Sequence, residues 1–218
     1  MSAVRLMVLG ASGGVGQWVV RVATGKGHAV TALVRHSSAV NGMSGVNVVR
    51  GDLTDPSFLE GTLSGHDAVV SCVGLRRAGK SPFAGLLSPP DLTTRLASSL
   101  ARAMESRDVR RLVVISAGGV AESFENLTWP VQKLVSTGNV AVAYRDLAGM
   151  EARLAQSSLD WLAVRPVTLM NGAPRGRAKP VDRYALTSTI RRADVAAWML
   201  AAATQHDSFT SHSVLLGT

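Results

Sequence analysis

The chain is short of cysteine, lysine and aromatic residues, and each shortage closes off a class of protein. One cysteine, Cys72, among 218 residues excludes a disulfide framework. Lying in the apolar run Val69-Val70-Ser71-Cys72-Val73, it is expected to be a buried, inert thiol. Aromatics make up 5% of the chain and no basic run is interleaved with them, so stacking on single-stranded nucleic acid is not expected. No apolar stretch approaches the roughly 20 residues that cross a bilayer, and the N-terminus lacks the charged start and apolar core of a signal peptide. A cytoplasmic protein without a membrane partner is the expectation. His28 and His66 each precede a predicted strand and no histidine pair has ligand spacing, so no metal is expected.

With 46% hydrophobic and 17% charged residues the composition is that of one compact domain over residues 1–218. Its net charge of +8 is mostly arginine, since Lys26, Lys80, Lys133 and Lys179 are its lysines. Such an excess suits an anionic ligand with several phosphates or carboxylates; by charge alone it suits nucleic acid or a solvated basic surface equally well.

The organising stretch is the beginning. The apolar run Val4 to Leu9 closes on Gly10-Ala11-Ser12-Gly13-Gly14-Val15-Gly16 and continues as the amphipathic segment Gln17 to Val22. A buried strand feeding a glycine turn and a helix presents backbone N–H groups at the helix start, where a pyrophosphate fits. Gly10 permits the tight turn, Gly13 lets the backbone approach the phosphates, and Gly16 lets helix and strand pack closely. No lysine follows Gly16, which disfavours a Walker-type phosphate loop. An ordinary tight turn has the same glycines, and the strand before them with a further strand after the helix weighs against it.

That further strand, Ala29 to Val34, ends at Arg35-His36. An acidic residue about 20 positions after the glycine turn holds the adenosine ribose 2′-hydroxyl in NAD-binding folds. Arg35 stands there instead, so either a 2′-phosphate pairs with it, favouring NADP over NAD, or it is a solvent-facing strand end. A Ser/Gly/Asn-rich connection from Ser37 to Gly45 leads to a third strand, Val46 to Arg50, and then to Asp52, placed to accept from the adenine amino group. Asp55 is predicted to cap a helix starting at Pro56. A fourth strand covers Asp67 to Val73. Gly74 opens a long loop to Pro90 carrying Arg76, Arg77 and Lys80, and Asp91 is placed as the cap of a helix from Leu92 to about Ser106. Arg110 to Ser116 is a fifth strand, ending in Ala117-Gly118-Gly119. Residues 120–138 read as irregular, 139–157 as helical, and Leu159 to Pro166 as a sixth strand. After a loop over 170–183, Tyr184 to Thr187 reads as a short strand, Arg191 to Thr204 as a helix entered near Ser188 or Thr189, and Ser213 to Leu216 as a last strand. Strands alternating with helices predict an α/β fold, a Rossmann-like three-layer α/β/α sandwich around a mostly parallel sheet. Loops 74–90, 120–138 and 170–183 are expected to shape the substrate side.

Seven segments in order carry a family likeness: Gly10 to Gly16, Leu33-Val34-Arg35, Gly51-Asp52-Leu53, Asp67 to Ser71, Leu112 to Ala117, Leu159-Asp160-Trp161 with Arg165-Pro166, and Ala193 to Ala196. Through them nearly the whole chain resembles the atypical short-chain dehydrogenase/reductases, in the NAD(P)H-binding branch of NmrA-like proteins and biliverdin reductase B-type flavin reductases. The resemblance implies NADPH bound against Gly10, Ala11, Ser12, Gly13, Gly14, Val15, Gly16, Arg35, Asp52, Leu53, Val73, Gly74, Ser116, Ala117, Pro166, Val167 and Thr168. It puts Ser116 near nicotinamide and substrate as the candidate catalytic residue, and Val167 and Thr168 at the nicotinamide end. Alcohol-oxidising and carbonyl-reducing members use a Tyr with a Lys four residues on, but Tyr144 is followed at that spacing by Ala148 and Tyr184 by Ser188. A tyrosine near its usual pKa of ~10 is a poor base at neutral pH. Hydride transfer to a flavin needs no such pair. Two functions stay open: an NADPH-dependent reductase of a flavin, quinone or similar conjugated acceptor, or a non-catalytic NADPH sensor that engages a protein partner. The expected substrate is a small conjugated or anionic molecule, attracted by Arg76, Arg77, Arg175 and Arg177 unless these are solvated loop residues; the expected assembly is a monomer or homodimer.

Overall fold

A computed structural model describes residues 3–36 and 45–218. The Ser37–Gly45 connection, apart from Gly45, lies outside them.

Strand β1 (Arg5–Leu9) shows how the sequence builds the layers. Leu6 and Val8 enter one core, Met7 and Leu9 the other, so both faces of the strand are apolar and both are covered. The same division runs through β5 (Arg111–Ile115), with Val113 on the first face and Leu112 and Val114 on the second. Strands β2 (Ala29–Val34), β3 (Asn47–Arg50), β4 (Ala68–Ser71), β6 (Asp160–Pro166) and β10 (Ser213–Gly217) join them in one sheet, ordered β3-β2-β1-β4-β5-β6-β10 and parallel throughout. Short β8 (Lys179–Pro180) closes the β10 edge antiparallel. A separate pair, β7 (Thr168–Met170) with β9 (Thr189–Arg191), is also parallel.

Helix α1 (Gly16–Gly25) turns Gly16, Val19, Val20 and Ala23 inward, a three-and-four spacing that makes one apolar stripe. It shares the first core with α6 (Arg192–Thr204) and with Val131 and Val135 of α4 (Trp129–Val135). The second core belongs to α2 (Pro56–Leu63), α3 (Leu92–Ser106) and α5 (Gly138–Leu154). The result is the three-layer sandwich expected from the alternation.

Local signals succeed where the partner is local. Asp55 Oδ1 accepts from Ser57 N at 2.9 Å and Pro56 stands in the first turn of α2. They fail where the partner is distant. Asp91 makes no side-chain cap of α3; the carboxylate of Asp146, on α5, accepts from Thr93 N and Thr94 N, both at 2.9 Å. Asp146 is buried, so this cap also pins α5 to α3, and Thr94 Oγ1 returns a bond to the Asp146 carbonyl. Residues 120–138, read as irregular, contain a 3-10 helix over Ala121–Asn126 and then α4, whose Pro130 belongs to the first turn rather than to a break. Tyr184 to Thr187 is not a strand: Tyr184 makes one bridge to Leu127, and the pairing falls to β9 immediately before α6.

Candidate cofactor and active site

At the C-terminal ends of β1, β2 and β4 the register brings Leu9 beside Leu33 and Ser71. Chain order runs outward from β1 in both directions, which leaves a crevice there. The glycine turn fits it by necessity. Gly10 has φ +69°, and a Cβ on it would lie 2.9 Å from the Cys72 carbonyl carbon and oxygen. A Cβ on Gly16 would lie 2.2 Å from the Gly10 carbonyl oxygen, so the turn and the start of α1 close only around glycine. No side chain caps α1 and its first turn holds no acidic residue. Among the described residues the N–H groups of Gly14 and Val15 meet no protein acceptor. The start of α1 thus has the donors and the dipole that suit an anion.

A cleft of about 690 Å³, its open mouth included, extends from this turn. Gly10, Ser12, Gly13, Arg35, Asp52, Leu53, Val73 and Gly74, all named from sequence, line it together. Val34, Thr54, Cys72, Ser88 and Leu92 line it as well, together with Arg76, which the sequence offered only as a substrate ligand. Cys72 is therefore half-buried at the cleft wall rather than enclosed, although desolvation pushes its thiol up to about 12 and leaves it protonated and unreactive at neutral pH. Asp52 Oδ1 accepts from Thr54 N and Thr54 Oγ1, both at 2.8 Å, and these bonds hold the carboxyl below the ordinary carboxylate range. Ser88, Thr54 and Leu92 were missed because nothing local marks them; the ends of two loops bring them in.

Ala11 and Val15 serve the core, and Gly14 and Gly16 also stand outside the cleft lining. Farther along the sheet edge, Ser116 and Arg165 form a different arrangement. Ser116 is buried and its hydroxyl donates to Glu151 Oε1 at 2.5 Å, not to backbone. Arg165 Nε bonds the same oxygen at 3.2 Å, and its Nη2 bonds Glu151 Oε2. Its Nη1 reaches Glu122 Oε1 at 2.5 Å, which holds the Glu122 carboxyl below its ordinary range. With its proton committed to Glu151, Ser116 can offer a ligand only its oxygen lone pairs. Pro166 and Val167 are buried while Thr168 is exposed, its Oγ1 2.9 Å from the Tyr184 hydroxyl. Ser116, Ala117, Pro166, Val167 and Thr168 thus lie outside the lining of this cleft.

Tyr144 donates to the Gly118 carbonyl at 3.1 Å, and burial, with Tyr184 nearby, pushes its phenol above the usual range. A phenol so placed keeps its proton, in agreement with the missing lysine. The 74–90 loop is ordered as a hairpin: Ala78 N donates to Gly85 O and Leu87 N to Arg76 O, both at 2.8 Å. Asn139, at the start of α5, holds its tip through Pro82 O at 2.8 Å and Ala84 O at 3.0 Å.

A glycine turn between parallel strand ends, at the point where strand order reverses, defines a dinucleotide-binding fold of the Rossmann class. The sequence model of the NAD(P)H-binding family matches residues 10–206, and the chain belongs to that family. It is 29% identical over 196 residues to oxidoreductase stcQ of Emericella nidulans, covering 81% of this chain and 69% of that one. Among solved structures, ChuY of Escherichia coli O157:H7, an anaerobillin reductase, superposes with a TM-score of 0.75 at 23% identity over 97% of this chain and 96% of that chain. A short-chain dehydrogenase/reductase from Veillonella parvula, in complex with NADP, gives 0.79 at 15% identity over 100% and 95%.

Proposed function

We propose that the protein is an NADPH-dependent oxidoreductase that passes hydride to a flavin, quinone or similar conjugated acceptor. The observation that carries this is Arg35 lining one cleft with the glycine turn and Asp52, where an NAD-specific site holds a carboxylate. In this reading the α1 N-terminus holds the diphosphate, Arg35 pairs with the 2′-phosphate, and Asp52 accepts from the adenine amino group. Leu53, Val73 and Gly74 pack along the adenosine half. NADPH, when bound, supplies the hydride. Ser116, Ala117, Pro166, Val167 and Thr168 border the nicotinamide end, with Ser116 orienting the bound groups through its lone pairs. Tyr144 moves no proton, so the acceptor is one that takes its proton from water. The likeness to an oxidoreductase in sequence and to the reductase ChuY in fold supports this chemistry.

The test is a titration of NADPH and NADH followed by an oxidation assay with FMN, riboflavin and a quinone. The wild type is expected to bind NADPH more tightly than NADH. Arg35→Ala is expected to weaken NADPH by roughly ten- to a hundredfold, the scale of one charge-assisted phosphate contact, with little effect on NADH. A wild type that prefers NADH would overturn the NADP assignment. Tight NADPH binding without turnover of any acceptor would favour the sensor reading.

A further inference from the structure

Arg192 is the first residue of α6, and its side chain crosses Gly14. A Cβ on Gly14 would stand 3.0 Å from both Cδ and Nε of Arg192. Its Nη1 donates to Asn171 Oδ1 at 2.8 Å and reaches the Leu169 carbonyl at 3.4 Å. Among the described residues no carboxylate pairs with it.

By helix electrostatics this is a poor place for a cation without an acidic partner. Arg192 opens α6 and lies against the glycine turn that leads into α1, and the N-terminal end of a helix carries partial positive charge. At α1 that charge is not offset by an acidic residue or a side-chain cap, and the free N–H groups of Gly14 and Val15 point to an anion. At α6 Asp194 stands in the first turn, so the guanidinium adds to the positive potential at the start of α1, where a bound anion would offset it.

We propose that Arg192 is a ligand of the cofactor diphosphate, held over the glycine turn by Asn171 and Leu169 so that the anion is bound by α1 on one side and a guanidinium on the other. The proposal rests on the reading of the cleft as a dinucleotide site. It gives Gly14 a role separate from Gly10 and Gly16: lacking a side chain, it leaves room for Arg192. It also links the diphosphate to the 170–183 loop. Asn171 belongs to that loop, and Asp194, buried in the first turn of α6, fixes it further by accepting from Arg175 N at 2.7 Å and Gly176 N at 2.9 Å.

The experiment measures binding of NADPH and of NADH to the full chain by nicotinamide fluorescence, at low and at high sodium chloride, for wild type, Arg192→Ala, Arg192→Lys and Gly14→Ala. The diphosphate is common to both dinucleotides, so Arg192→Ala is expected to weaken both by the same factor, roughly ten- to a hundredfold. Lysine should restore part of the loss, and the gap to wild type should narrow at high salt, as an ionic contact requires and a purely structural role does not. Gly14→Ala should weaken binding in the same direction by displacing Arg192. Thermal unfolding of each variant separates loss of binding from loss of fold. If Arg192→Ala binds both dinucleotides within twofold of wild type, or if its deficit is unchanged by salt, the inference is wrong while the cofactor site stands. A wild type that binds neither dinucleotide overturns the site and the inference together.

Discussion

The glycine turn after β1 and the Ser116–Glu151–Arg165 cluster at the ends of β5 and β6 stand along one edge of one sheet, yet they are built on opposite principles. The turn is a local object. Within seven residues, Gly10 supplies a backbone conformation that other residues resist and Gly16 a contact distance that a side chain forbids. The cluster is assembled from three elements, with Ser116 and Glu151 separated by 35 positions and Arg165 a further 14 along. The first leaves the backbone donors of Gly14 and Val15 without an acceptor among the described residues. The second satisfies its charges internally and is nearly sealed. Under the proposed function, the end that takes the diphosphate is left electrostatically open, and the end that meets the nicotinamide is braced by a cluster whose members pair with one another.

The comparison breaks most decisively at Glu151. Replacing it with alanine leaves Arg165 buried with Glu122 as its remaining carboxylate, and stability is expected to fall by about 3 kcal/mol or more, read as the urea midpoint. Gly16→Ala tests the local half. A methyl group 2.2 Å from the Gly10 carbonyl must force the turn apart, with an expected cost of about 1–3 kcal/mol and loss of dinucleotide binding in the same titrations. If Gly16→Ala binds normally, the close packing of turn and helix is not what forms the anion site.

Smaller effects sharpen the picture. Asp146→Ala removes the buried cap of α3 and should lower stability by about 1–2 kcal/mol, whereas Asp91→Ala should lie within about 0.5 kcal/mol of wild type. Equal effects would return the cap to Asp91. The smallest concerns pH. The Arg165 hydrogen bond holds the Glu122 carboxyl below its ordinary range, so the stabilisation is complete above the unfolded Glu value of ~4.3 and is lost as pH falls through the lower folded value. Glu122 is largely exposed, which weakens the effect, and Glu122→Gln should flatten only the acid limb of the stability profile.

How much was legible follows the same division. The run Val4 to Leu9, the glycine spacing, Arg35 at the tip of β2 and the Asp55-Pro56 start of α2 each carry their structural reason within a few residues. All were readable. Asp91 misled because it has the right type and position for a cap, while the true cap, Asp146, arrives from a helix more than fifty positions away. Ser116 was placed at the right strand end, but neither its partner Glu151 nor the resulting loss of its free proton is written near it. Arg192 belongs to the same class: on its own it is one more arginine in a basic chain, and it acquires meaning only when α6 packs beside α1.

The sequence by itself determined the parallel sheet, the glycine turn and the cation at the tip of β2, since strand periodicity, backbone strain at glycine and charge at a strand tip are properties of short segments. Only the tertiary structure decided which distant side chains share a proton or a charge. Those pairings depend on helix packing across the sheet, where a displacement of one helical turn leaves every local pattern intact and exchanges every partner.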